Sequence, residues 1–478
     1  MSNDEVGARA GGGAPPVQSS SNSASLARHS SSVTRHSLPG SETIVAIATP
    51  PGRGGVGIVR VSGKSLAGLA AAICGKSLTP RLAQHTRFRD AADEVIDDGI
   101  ALFFAAPASF TGEDVLELHA HGSPIVLQAL VRRCVELGAR HAEPGEFTRR
   151  AYLNGKLDLA QAEAVADVID AATESAARAA VRSLTGEFSS RIRTLQDRLI
   201  HLRMFVEATL DFPEEDVEFI EAERARDKLA ATREALLQVI SEATRGQLLH
   251  DGIRIVLAGE PNVGKSSLLN ALAGDDIAIV TPIAGTTRDT VRSRISINGL
   301  PAEVIDTAGL RDTTDPVEAM GIERTRAAIR DADLALVLVQ ASQAVPPALL
   351  AELPPTLPRL IVHNKADLAG EGARSDEQGL WVSAKTGAGL DLLTDAIADA
   401  VGFNYREEGH FMARERHVDA LRKALTHIDA AAQHLDHVAL ELFAEELRLG
   451  HEALGAITGE FTADDLLGEI FSRFCIGK

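Results

Sequence analysis

One octapeptide constrains the fold more than anything else in the chain. Gly259-Glu-Pro-Asn-Val-Gly264-Lys265-Ser266 lies between an apolar run, Ile253-Arg-Ile-Val-Leu257, and a helix-periodic one, Ser267-Leu-Leu-Asn-Ala-Leu272. Glycines at this spacing let backbone N–H groups turn inward around phosphates, at the start of a helix whose dipole favours anions. A strand–loop–helix of this kind belongs to a parallel sheet. Further buried-type strands, Ala335-Leu-Val-Leu-Val339 and Leu360-Ile-Val362, alternate with helical segments from residue 251 to 402. That grammar predicts a mostly parallel sheet covered on both faces.

The companions that a guanine-nucleotide site needs follow in order. Lys265 is placed to reach the β- and γ-phosphates and the Ser266 hydroxyl to ligate magnesium, with Asn262, Val263, Gly264 and Ser267 around them. Gly285-Thr-Thr287-Arg-Asp289 offers the Thr287 hydroxyl to magnesium and the γ-phosphate, in a loop that could order on GTP binding. Asp306-Thr307-Ala308-Gly309 follows the strand Ala302-Glu-Val-Ile305, its carboxylate supporting magnesium and its Gly309 amide facing the γ-phosphate. Asn364-Lys365-Ala-Asp367 follows another strand. The Asp367 carboxylate can accept two hydrogen bonds that guanine offers and adenine lacks, and so selects GTP. Ser383-Ala384-Lys385 closes the base pocket, and Thr281 completes the expected GTP contacts. Leu310 stands where many GTPases place a water-orienting glutamine. An alkyl side chain cannot orient water, so hydrolysis is slow or another group acts. Glu318 is a candidate, its alternative being a solvated loop carboxylate.

Around this segment the texture is different. A chain of 478 residues suggests roughly three domains. Residues 1–41 are rich in Ser, Gly and Ala and are expected to be a disordered tail. Arg9, Arg28 and Arg35 raise a transit peptide, against which stand Asp4, Glu5 and Pro15-Pro16. Residues 42–156 read as an α+β domain. No proline lies between Pro144 and Pro213, and apolar residues recur at Val165, Ile169, Leu184, Phe188, Leu195, Leu199, Leu202 and Val206, as in long amphipathic helices. The same texture returns after Tyr405 with Leu421, Leu425, Ile428 and Leu435. A helical domain in two parts, 157–250 and 403–478, interrupted by a guest α/β domain at 251–402, is the simplest account.

The formal net charge of -19 argues against a nonspecific nucleic-acid coat. Arg132-Arg133 and Arg149-Arg150 are either parts of a local basic patch or, more simply, solvated pairs. Three cysteines without metal-ligand spacing argue against a disulfide framework and for a reducing, cytoplasmic compartment, and no apolar run is long enough for a membrane span.

Several blocks outside the nucleotide segment resemble one family, the tRNA modification GTPases called MnmE or TrmE. They are Thr49-Pro-Pro-Gly-Arg-Gly-Gly-Val-Gly57, Phe110-Thr-Gly-Glu-Asp114, Pro144-Gly-Glu-Phe147, Lys156-Leu-Asp-Leu-Ala-Gln-Ala-Glu163 and the ending Cys475-Ile-Gly-Lys478. The resemblance covers nearly everything from Thr43 to Lys478. It implies a homodimer that acts with the FAD-dependent partner MnmG, as a heterotetramer, on the wobble uridine of certain tRNAs. The group added is an aminomethyl or carboxymethylaminomethyl group at the 5-position. It implies an N-terminal domain that binds a one-carbon tetrahydrofolate (5-formyl or 5,10-methylene) through Arg60, Glu117, Lys156 and Lys478. It further implies GTP hydrolysis stimulated by potassium and dependent on G-domain dimerisation, with Asn262, Thr281, Ile283 and Thr286 as potassium ligands. Glu318 would position the attacking water, beside Lys265, and Cys475 matches the family's C-terminal cysteine, a candidate catalytic group.

Other signals do not hold. Gly52-Arg-Gly54-Gly-Val-Gly57 fits a dinucleotide pattern, but Ile58-Val-Arg-Val61 continues as a strand where a helix is needed. His119-Ala-His121 has no third ligand nearby, so no zinc is expected. Cys475 is four from the end, yet Gly and Lys suit a prenylation signal poorly. The acidic run from Asp211 to Glu218 reads as a link between helices. The rival function is a ribosome-assembly or signalling switch, sharing the GTPase elements without one-carbon chemistry.

Overall fold

The computed structural model describes residues 42–211, 218–274, 292–306, 329–351, 353–404, 409–437, 439–460 and 464–477. The tail at 1–41 and most of the acidic run after Asp211 lie outside them.

Alternation of apolar and polar residues builds the first sheet. Its elements are β1 (Ile44–Ile47), β2 (Gly54–Gly63), α1 (Ala67–Cys74), β3 (Gln84–Arg89), β4 (Val95–Phe104), β5 (Asp114–Gly122), α2 (Pro124–Glu136), β6 (Arg140–His141) and α3 (Glu146–Leu153). The strand order is β3-β4-β5-β2-β1-β6, antiparallel except for β1 beside β6. On β5, Leu116, Leu118 and Ala120 are buried with Ile73 of α1 and Leu130 of α2. The intervening Glu117 and His119 therefore share the opposite face with Arg60, which is paired in register with Glu117.

Helices follow: α4 (Leu159–Asp170), α5 (Glu174–Leu184), α6 (Glu187–Asp211) and α7 (Glu218–Asp251). Asp158 caps α4 in a reciprocal box with Gln161, and Thr173 caps α5. Ile169, expected on the apolar stripe, is 46% exposed. Instead α4 buries Leu159, Ala160, Ala162 and the charged Glu163, because the contact it makes is ionic.

The guest segment contains β7 (Ile253–Gly259), α8 (Lys265–Ala273), β8 (Arg292–Ile297), β9 (Leu300–Asp306), β10 (Leu334–Gln340), α9 (Pro347–Ala351), β11 (Arg359–Asn364), α10 (Ala366–Ala369), β12 (Arg374–Asp376), β13 (Gly379–Trp381) and α11 (Leu390–Ala400). Its strands run in the order β12-β13-β11-β10-β7-β9-β8. The five central strands are parallel, and β8 and β12 close the edges antiparallel. Central strands are buried almost throughout, as in the all-buried run of β10 from Leu334 to Val339, which is why they read as apolar blocks.

The chain then returns through α12 (Glu415–Asp436), α13 (Leu440–Thr458) and α14 (Asp464–Ser472). Phe188, Leu195, Leu199 and Leu202 of α6 share one core with Leu421 and Ile428 of α12 and Leu447 and Leu454 of α13. Each such side chain contributes about 1.5–3 kcal/mol on burial. Both halves of the bundle are thus one body despite the guest between them.

A buried ion network reinforces that return. Glu163, 1% exposed, accepts from Arg416 at 2.8 and 2.6 Å. His417 Nδ1 accepts from the Arg414 backbone N–H at 3.1 Å, so its ring proton is on Nε2, 2.9 Å from Glu163 in a close but poorly aligned approach. Burial alone would raise the Glu163 carboxyl. His417 and the Arg416 guanidinium more than reverse this and hold it well below the usual range.

Candidate functional site

At the carboxyl end of β7 the chain turns into α8 through the phosphate-type loop. Asn262 and Gly264 both have positive φ, 64° and 98°. A Cβ on Gly264 would stand 2.4 Å from the Asn364 amide nitrogen, so only glycine lets that contact form. Lys265, 8% exposed, donates to the carbonyls of Gly259 and Glu260 at 2.8 and 3.2 Å. Ser266 and Ser267 are exposed at the first turn of α8, so the Ser266 hydroxyl is open to a divalent cation.

The base-side elements converge on this loop. Asn364, 1% exposed, donates to the Val263 carbonyl at 2.9 Å and accepts from the Ala384 N–H at 3.1 Å. It thus ties the loop to both remaining elements through one amide. Lys365 donates to the Asn262 carbonyl at 2.6 Å. Ser383 donates to the Asp367 carboxylate at 2.7 Å, which fixes one oxygen and leaves the exposed side chain aimed outward. Lys385 is exposed beside them. The structure therefore brings Asn262, Val263, Gly264, Lys265, Asn364, Lys365, Asp367, Ser383 and Ala384 together. Thr281, Ile283, Thr286, Thr287, Thr307, Ala308, Gly309 and Glu318 lie outside the described residues, and of Asp306 only the backbone is described, at the end of β9 beside Leu257.

A second cluster forms on the polar face of the first sheet. Arg60 donates to Glu117 through two nitrogens at 2.9 Å, and His119 approaches the other carboxylate oxygen at 3.3 Å. The C-terminal segment reaches the same place. Ile476 bridges Pro144, and Arg60 also points to the Gly477 carbonyl at 3.5 Å. A Cβ on Gly477 (φ +99) would stand 2.3 Å from the Ile47 carbonyl oxygen, so glycine permits this close pass. Phe471 and Phe474 anchor the segment against Leu159 of α4. Lys156 does not join the pair, its ammonium donating to the Pro107 carbonyl at 3.2 Å. Cys475 is exposed. Lys478 lies outside the described residues.

The Arg149-Arg150 pair is not a solvated one. Arg150 is 3% exposed and donates to Glu113 at 2.8 Å and to Glu146 at 2.9 Å. Arg140 clasps Glu146 at 2.6 and 2.8 Å, and Ser62 donates to Glu113 at 2.9 Å. Burial pushes the Glu146 carboxyl up, and Arg140 and Arg150 outweigh it and hold it low. This cluster joins the Phe110–Asp114 and Pro144–Phe147 blocks behind the Arg60 site. Sequence reasoning missed it, since an Arg four residues after a Glu reads as a surface pair. Similarly, Arg133 has a side chain only 13% exposed, paired with Glu136.

A cavity of ≈ 310 Å³ lies away from both clusters, at the seam between α4, α7, β7, β9 and the approach to α12. His250 sits there, 2.6 Å from Asp251 and 3.5 Å from Asp167, and Arg414 pairs with Asp167. Burial would lower the His250 imidazole, but its bonds to Asp167 and Asp251 outweigh burial and push it up to about 9. These groups pair with one another across the seam. No helix among the described residues is long and apolar enough to cross a membrane.

Comparison with known proteins adds two matches to family models, "GTP-binding protein TrmE N-terminus" over residues 43–156 and "MnmE helical domain" over residues 159–475. A tRNA modification GTPase MnmE of Neisseria meningitidis is 58% identical over 91% of this chain and 99% of its own length. The protein of that name from Thiobacillus denitrificans is 57% identical over 92% and 99%. Among solved structures, Aquifex aeolicus Era bound to GDP and aluminium fluoride overlays 37% of this chain and 66% of its own, at 25% identity and a TM-score of 0.26.

Proposed function

Since this chain belongs to the MnmE family of tRNA modification GTPases, we propose that it uses GTP hydrolysis to drive addition of an aminomethyl-type group to the wobble uridine of certain tRNAs, taking the carbon from a tetrahydrofolate. The single observation that carries the one-carbon part is the meeting of Arg60, Glu117 and the C-terminal Gly477 on one sheet face. A carboxylate already held by an arginine suits the N–H edge of a pterin. Lys478, beyond Gly477, is a cation suited to the glutamate tail. Lys156 is free to leave a single carbonyl partner and join them.

For hydrolysis, Lys265 exchanges its two carbonyl partners for phosphate oxygens and draws charge from the β–γ bridge. Ser266 and Thr287 are our assignment for magnesium. Asn262, Thr281, Ile283 and Thr286 are our assignment for potassium, which would supply positive charge beside the transferring phosphoryl group. Glu318 orients the attacking water in place of Leu310, and pairing of two G segments completes the site. We assign residues 42–156 to folate binding, 157–250 with 403–478 to the helical body and 251–402 to the G domain. The acting assembly is a homodimer joined by FAD-dependent MnmG, in the cytoplasm. Cys475, exposed two residues before Gly477, is our candidate catalytic group beside the Arg60 cluster.

Calorimetry with 5-formyltetrahydrofolate tests the one-carbon reading. Wild type should bind, and Arg60→Ala should lose at least about tenfold in affinity while GTP turnover stays unchanged. No binding by wild type would leave a GTPase without one-carbon chemistry and favour the ribosome-assembly or signalling switch. Turnover that is equal in potassium and sodium would remove the four potassium ligands, and undiminished turnover in Glu318→Ala would return that residue to a solvated loop.

A further inference from the structure

The chain has one tryptophan, and it is built into the base of the nucleotide segment. Trp381 ends β13, a strand of three residues, and is 3% exposed. In register it lies between two neighbours, His363 of β11 and Arg374 of β12. The His363 ring stacks on the indole at 4.2 Å with an interplanar angle of 11°. Because β12 and β11 flank β13 on opposite sides, Arg374 occupies the other face, its guanidinium carbon 3.8 Å from the ring centre. Asp376 and Glu371 pair with that guanidinium.

The position of this stack gives it a consequence. His363 is followed directly by Asn364, and Trp381 stands two residues before Ser383. Strands β12 and β13 have three residues each, and β13 pairs with β11 at only two positions. The Ser383–Lys385 loop closes on itself, with the Ser383 N–H donating to the Ala388 carbonyl and the Gly387 N–H to the Ser383 carbonyl, both at 2.9 Å, so its tie to the sheet runs through few ladder bonds. The Val382 N–H donates to the His363 carbonyl at 2.9 Å and the Ala366 N–H to the Val382 carbonyl at 3.1 Å, which extends the link from the stack up to the two loops. Ser383 then holds the Asp367 carboxylate. A shift of the indole would carry Ser383 with it and turn that carboxylate.

We propose that the His363–Trp381–Arg374 stack positions the guanine-reading pair Asp367 and Ser383, so that Trp381 is a specificity-positioning residue for the nucleotide base. This rests on the reading that Asn364–Asp367 and Ser383–Lys385 form the base pocket. Inosine diphosphate is the discriminating probe, since it lacks the 2-amino group that one Asp367 oxygen reads. A device that aims Asp367 affects GDP more than IDP, whereas a purely structural brace affects both alike.

The experiment is calorimetry of GDP, IDP and ADP on full-length wild type, Trp381→Phe, Trp381→Ala and Arg374→Gln, with GTP turnover at saturation. Trp381→Ala should weaken GDP about tenfold and IDP much less, narrowing the GDP/IDP preference. Its saturated turnover should stay within about twofold, because the groups at the phosphates are untouched. Trp381→Phe, which can still stack, should restore the preference, and Arg374→Gln should narrow it about threefold. An unchanged GDP/IDP ratio in Trp381→Ala, or a parallel loss for both nucleotides, would overturn the proposal. If that variant does not fold, an unchanged ratio in Arg374→Gln overturns it instead. Wild type that does not prefer GDP to ADP would overturn the base-pocket reading itself, a separate outcome.

Discussion

The two sheets of this molecule put their chemistry in different places. The parallel sheet from β7 to β13 is apolar on both faces, so its polar side chains gather where strands end and loops begin. Gly264, Lys265, Asn364 and Ser383 all stand within a few residues of a strand terminus. The antiparallel sheet from β1 to β6 packs α1 and α2 on one face and only α3, through Phe147, on part of the other, where its Arg60–Glu117–His119 cluster lies in mid-strand. One site is a row of loops, each carrying its own part. The other is assembled from two strands and a C-terminal segment some four hundred residues away in sequence, as the Arg60–Gly477 contact shows.

This contrast yields experiments in which one region can fail without the other. The largest effect belongs to the network that ties α4 to α12 in the helical bundle. Glu163→Ala leaves Arg416 and His417 without their carboxylate, although Arg416 keeps the carbonyls of Ala456 and Ile457. Stability should fall by about 3–5 kcal/mol, read by urea denaturation, and a loss under about 1 kcal/mol would mean the network is dispensable. Next comes Asp367→Asn, which should raise the Kd for GDP on the order of 10²-fold while 5-formyltetrahydrofolate binding stays unchanged. A shared loss would mean the two sites are coupled. Deleting Ile476 to Lys478 is the mirror experiment. It should cost about tenfold in folate affinity with GDP affinity intact.

The smallest effect is a pH dependence at the seam. His250 has its folded pKa raised to about 9 from an unfolded value of about 6.5. Its contribution is therefore fully present below about pH 6.5 and is lost as pH rises through 9. The unfolding free energy of wild type should decline across that interval by about 1 kcal/mol, discounted for its partial exposure, and His250→Gln should flatten the decline. A wild-type curve that is already flat there would contradict the assignment.

The same contrast explains how far the residues could be read in advance. Strand-end chemistry is local in sequence, so the loop at Gly259–Ser266, Asn364–Asp367 and Ser383–Lys385 were recognisable with their strands and helices. The fold class was legible for the same reason, through apolar blocks for buried parallel strands and helical spacing in α6 and α12. Mid-strand chemistry is not local. Arg60 and Glu117 look like ordinary charges until register places them opposite each other, and only family resemblance pointed to them. Arg150, Glu113 and Glu146 went unread because burial of an ion cluster depends on three segments meeting. In α4 the periodic apolar row suggested burial of Ile169. The helix faces the bundle through Glu163 and small alanines, a choice made by partners on α12 that no window of α4 contains.

We propose that a GTP site and a one-carbon site in one chain serve tRNA modification. The most direct test is mass spectrometry of wobble uridines in tRNA from cells lacking this gene, complemented with wild type or with Lys265→Ala. The aminomethyl-type modification should disappear on deletion and return with wild type only. Wobble uridines that keep the modification without the gene, or regain it with Lys265→Ala, would contradict it.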